Sequence, residues 1–70
     1  MEYLKVLVPG RDGQDIDVLI NGEKNGKAGQ VLLLGKGAVL VSVALPHAEE
    51  KQVDLADTTP RTPRLVEIRA

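Results

Sequence analysis

Apolar residues recur at every second position in run after run of this chain, and each run is cut off by glycine, proline or asparagine. Alternation with that punctuation is the pattern of short strands half-buried against a core, and it leaves little room for helix. In "EYLKVLV", Leu4, Val6 and Val8 share one face, with Tyr3, Lys5 and Leu7 on the other. "PGRDGQD" ends the run, because Pro9 cannot donate to a ladder and two glycines permit a turn. "IDVLI" then sets Ile16, Val18 and Ile20 opposite Asp17 and Leu19. "NGEKNGKAG" follows and carries Asn-Gly twice. Asn-Gly is the strongest short hairpin signal, since a type I′ turn needs positive φ at both central residues. Only Glu23 and Lys24 separate the two pairs, so at most a very short edge strand is expected there.

"VLLLGKGAVLVSV" raises a chemical question, because a lysine between glycines can hold a phosphate. The phosphate-binding loop needs G-x-x-x-x-G-K followed by Ser or Thr and opening a helix. Here five residues separate Gly29 from Gly35, Gly37 follows Lys36, and a β-rich run comes next. Each distinguishing feature fails, so "GKG" reads as a turn between two antiparallel strands. Beyond it Val39, Val41, Val43 and Leu45 alternate with Ala38, Leu40, Ser42 and Ala44. In "PHAEEKQVDLAD" the apolar positions make a poor helical stripe, whereas Val53 and Leu55 alternate with Gln52 and Asp54. A strand is expected over 51–55, with a helix within 47–56 as the alternative. "TTPRTP" is a loop, and "RLVEIR" closes the chain with Val66 and Ile68 inward. The expectation is a single all-β domain over residues 1–70: a small antiparallel, immunoglobulin-like sandwich of about six strands plus a short edge strand.

Composition narrows the function. Seventy residues bury only about 60% of the surface that the unfolded chain exposes, so the core is thin. Tyr3 is the sole aromatic residue, which leaves Val, Leu and Ile to build that core and removes stacking platforms for bases or sugars. Nine basic against ten acidic residues argue against a dedicated nucleic-acid binder, although Arg61, Arg64 and Arg69 make the last segment locally basic. No continuous apolar run exceeds the four residues of "VLLL", so neither a signal segment nor a membrane span is read, and no membrane insertion is expected. The compartment stays open, with the cell envelope one possibility if the chain is a domain of a longer protein.

Catalytic and metal chemistry find few candidates. There is no cysteine, and His47 is the only histidine, with Glu49 and Glu50 nearby but no serine hydroxyl placed beside it. Ser42, the only serine, falls within a strand. Asp12, Asp15 and Asp17 could offer oxygen ligands, but their spacing does not fit a calcium loop. The chain is read as having no catalytic residues, no metal site and no cofactor.

The outward faces say more. Leu7 and Leu19 lie opposite the main apolar set of their strands, Leu40 points away from Val39 and Val41, and "VLLL" is apolar on both faces. A sheet with one solvated face should be polar at such positions. Either these strands are covered by the 46–50 loop and the proline segment, or the leucines form a contact patch. Leu7, Leu19, Leu33 and Leu40 are the candidate contact residues, Leu33 being chosen over Leu32 on an assumed register. The function expected is protein–protein contact, either with a second copy as a homodimer or by docking on a larger protein. The alternative is a carbohydrate- or envelope-binding domain using polar loop residues such as Asp12, Asp15 and Asn25.

The stretch "VLINGEKNGKAGQVLLLGKGAVLVSV", with "KQVDL" and "LVEI" after it, resembles the PEGA domain, a small bacterial β-sandwich module, over about residues 16–68. "GKGA" stands where that family has Pro-Glu-Gly-Ala, so Gly37 and Ala38 match while Gly35 and Lys36 replace Pro and Glu. "KAGQ" and "PHA" depart from the family pattern before the third strand and after the long one. The resemblance implies a non-catalytic module used beside other domains, with "EYLKVLV" as an extra edge strand.

Overall fold

The computed structural model describes residues 1–70, which form seven strands and no helix. They are β1 (Glu2–Leu7), β2 (Asp17–Ile20), β3 (Glu23–Lys27), β4 (Val31–Leu34), β5 (Gly37–Val43), β6 (Lys51–Leu55) and β7 (Arg64–Glu67). Two sheets stack as a small β-sandwich: a three-stranded sheet in the order β4-β1-β7 and a four-stranded sheet in the order β3-β2-β5-β6. Between them lie fourteen apolar side chains, among them Leu4, Val6, Val18, Val41, Val53, Leu55, Val66 and Ile68. These are the inward positions of the alternating runs, and no aromatic ring is among them.

Three features depart from the sequence expectation. β1 is not an added edge: it is the central strand of its sheet, paired with β4 on one side and β7 on the other. Its pairing with β7 is parallel, so the sandwich is not wholly antiparallel. Residues far apart in the chain set this arrangement, and no local turn announces it. Finally, β4 and β5 do not pair, so "GKG" carries the chain from one sheet to the other instead of closing a hairpin. Segment 47–56 contains the strand and no helix.

The two Asn-Gly pairs do different work. Asn21 and Gly22 have φ of 51° and 84°, the two positive values that a type I′ loop between β2 and β3 requires. The second pair makes a bulge: Leu19 lies opposite Lys24 and Asp17 opposite Lys27, so Asn25 and Gly26 together face Val18. The extra residue sets Lys24 and Lys27 on the same face of the sheet, where an odd spacing would otherwise separate them. Both then reach Asp17, Lys27 at 2.5 Å and Lys24 at 3.6 Å, and Lys27 also meets Asp15 at 3.1 Å.

These pairs have a pH signature. The hydrogen bond from Lys27 holds the Asp17 carboxyl below its ordinary 3.8, and bonds to Asp17 and Asp15 hold Lys27 above 10.5. Glu2 is lowered from 4.5 by the hydroxyl and then the amide of Thr58, and Glu49 by the amide of Arg69. A carboxyl depressed in the folded state stabilises it above the ordinary value and loses that contribution as pH falls through the folded value. The raised lysine contributes below its ordinary value and loses that as pH rises through the folded one. Tm is therefore expected to be flat between about pH 5 and 10 and to fall on both sides. A pH series followed by circular dichroism checks this, and a Tm that rises from pH 5 to 3 would contradict it.

Candidate interaction surface

The outer face of the three-stranded sheet is built by the residues that alternate with the core. On β1 these are Tyr3, Lys5 and Leu7. Tyr3 is in register with Leu33 of β4, and Lys5 with Val31 of β4 and Leu65 of β7, while Leu7 is beside Glu67 of β7. Val31, Lys5 and Leu65 thus form one row across three strands, roughly 10 Å long at ordinary strand spacing. Leu33 is 51% exposed and Leu65 59% exposed. Of the large apolar side chains left exposed, Leu7, Val31, Leu33 and Leu65 lie on this sheet, with Met1 just ahead of β1, and only Leu40 lies on the other. Charges on this face are confined to Lys5 within the row and Glu67 at its end.

A rigid turn borders this face. The segment after β6 is pinned to β1 by Thr58: its amide and hydroxyl both donate to the Glu2 carboxylate, at 2.9 and 2.6 Å, and its Oγ1 accepts the Tyr3 N–H at 2.7 Å. Thr59 and Thr62 then close on each other through two backbone bonds of 3.3 and 3.1 Å, with their hydroxyls 2.7 Å apart. Pro60 between them fixes φ, which suits the second position of a tight turn. Arg61 is held at the tip. Between the turn Pro60–Pro63 and the row Val31–Lys5–Leu65 runs an open groove of about 470 Å³.

The four-stranded sheet presents a different face. Leu40 is flanked by Gln52, Leu19 by Ser42 and Lys24, and Ala38 by Asp54. The Ser42 hydroxyl donates to the Glu49 carbonyl at 2.9 Å, and Ser42 is only 8% exposed because the loop before β6 folds over it. That loop is tied down in turn by Arg69, whose N–H donates to the Glu49 carboxylate at 2.8 Å and whose carbonyl accepts the Glu49 N–H at 2.9 Å.

The four leucines singled out from the sequence therefore do not form one patch. Leu7 and Leu33 lie on the three-stranded sheet, Leu19 and Leu40 on the opposite side of the sandwich, and Leu19 is half-buried. Parity within a strand marks a residue as outward but says nothing of which sheet the strand joins. Leu33 over Leu32 is the register observed: Leu32 is 6% exposed. Val31, Leu65 and Tyr3 were legible as outward from the same alternation, whereas the placing of Arg61 beside Lys5 depends on the Thr58 clamp and had no local signal.

Elsewhere, His47 is exposed in a turn at φ of 61°. Asp15 and Asp17 are joined through Lys27, Asp12 stands apart beside Arg11 in the loop after β1, and no group of three acidic or histidine side chains could hold a metal ion. No helix is long and apolar enough to cross a membrane. No family model, no curated protein and no solved structure matches the chain.

Proposed function

We propose that this domain is a non-catalytic module that makes protein–protein contact through the outer face of its three-stranded sheet. The observation that carries the reading is the asymmetry between its two outer faces. One sheet is polar outside and partly roofed by its own loop, while the other leaves Leu7, Val31, Leu33 and Leu65 in solvent around a single lysine. An outer face that leaves several large apolar side chains exposed marks a surface that meets a partner. The resemblance to the PEGA domain supports the same reading, since it implies a module used beside other domains. Docking on another protein is favoured over a homodimer, because two copies stacked face to face about Lys5 would bring two lysines together. A carbohydrate ligand is less well served, as Tyr3 is the only ring on either face.

The test is the native mass of the domain in an extract of the cells that make it, by size-exclusion chromatography. The wild-type chain should elute in a complex well above its 7.5 kDa. The double variant Leu33→Asp/Leu65→Asp should elute as the free domain, and Leu40→Asp should remain in the complex. A wild-type chain already free, or a complex indifferent to the double variant, would sink the reading.

A further inference from the structure

Resting on that reading, we infer that the groove between the row Val31–Lys5–Leu65 and the turn Pro60–Pro63 takes an apolar peptide segment that carries an acidic side chain, with the carboxylate received by Lys5 and Arg61. The walls supply the chemistry. Val31, Leu65 and the two prolines offer apolar surface, Lys5 and Arg61 are the only charged groups that line the groove, and no acidic residue does. Both cations are without a partner in the fold, which uses Lys24, Lys27 and Lys51 for its ion pairs. A positive groove on a chain whose formal charge is −1 is a local feature and not a by-product of a basic protein.

The cations differ in how they are held. Lys5 stands on the central strand, in register with Val31 on one side and Leu65 on the other. Arg61 stands on the turn closed by Thr59 and Thr62, itself anchored to Glu2 and Tyr3 through Thr58. A carboxylate entering the groove meets two donors whose backbones are fixed by the sheet and by the hydrogen-bonded turn, and binding orders the two side chains. Alternative occupants fit less well. A second copy packed with its two-fold axis through the groove would set these cations against their own equivalents. Two cations are too few for a nucleic-acid backbone or an anionic lipid surface, which reward a larger basic cluster.

The test is selection of random peptides displayed on phage against the immobilised wild-type domain. Enriched sequences should carry Asp or Glu with apolar residues on both sides. Made synthetically, these peptides should bind Lys5→Met and Arg61→Gln about tenfold or more weakly than wild type, with unchanged Tm for the variants. Their Asn or Gln counterparts should lose as much. The inference is overturned by no enrichment over the bare support, by enrichment of neutral or basic peptides, or by acidic peptides that the two variants bind as well as wild type does. It is also overturned if the pure domain is a dimer that Leu65→Asp dissociates, or if it pellets with phosphatidylserine vesicles through Lys5 and Arg61. If the native complex depends on Leu33 and Leu65 while the selection shows no acidic preference, the inference fails and the contact reading stands.

Discussion

Gly26→Ala is expected to destabilise the domain by about 2–5 kcal/mol, from two effects that act at the same atom. Gly26 has φ of +77°, and a β-carbon there would lie 2.3 Å from Cδ2 of Leu32. The left-handed conformation alone costs a non-glycine residue about 1–2 kcal/mol. Relieving the overlap requires Leu32 to turn away, and Leu32 belongs to the core at the corner where β3 of one sheet meets β4 of the other. Overpacking of that kind costs about 1–3 kcal/mol. A domain of this size has total stability of about 4–10 kcal/mol, so the variant should lose about half of its margin. Urea unfolding measures it, and a midpoint unchanged from wild type would mean that the bulge and the packing at Gly26 are not as described.

The second large effect separates two adjacent leucines. Leu32→Ala should cost about 2–5 kcal/mol, the range for a buried leucine, because Leu32 is 6% exposed. Leu33→Ala, next to it, should stay within about 0.5 kcal/mol of wild type, because Leu33 is 51% exposed and faces away from the core. A shift of one residue in the pairing of β4 with β1 exchanges the two outcomes. The comparison also bears on function. If Leu33 contributes little to the fold, its place on the outer face has to be accounted for by what the face meets. Equal costs at the two positions would remove that distinction.

Much of the fold can be read in the chain because alternation and turn chemistry are local. Leu4, Val6, Ile16, Val18, Val53 and Val66 are inward wherever their strands go, and Asn21-Gly22 closes its hairpin by backbone preference alone. Sheet membership is not local. Nothing between Val31 and Val43 distinguishes a hairpin from a crossing between sheets, since a glycine-rich corner serves both. The parallel pairing of β1 with β7 joins the two ends of the chain, and its cause is the shared apolar face of Val6 and Val66 with no turn to mark it. For the same reason the outward leucines could be identified one by one, while their division into Leu7 and Leu33 on one side and Leu19 and Leu40 on the other could not. Arg61 is the sharpest case. A basic residue in a Thr-Pro loop looks like solvated surface until the hydrogen bonds that Thr58 donates to Glu2 and accepts from the Tyr3 N–H bring the loop beside Lys5.

The contact claim is tested most directly by cross-linking from a single position on each face. The chain has no cysteine of its own, so Leu65→Cys and Leu40→Cys each create one labelling site for a photoactivated cross-linker. Both side chains are exposed, one on the outer face of each sheet. Illumination in an extract of the producing cells should yield a discrete adduct from position 65 and none from position 40. Equal adducts from both positions, or an adduct from position 40 alone, would contradict the assignment of the three-stranded sheet as the contact face.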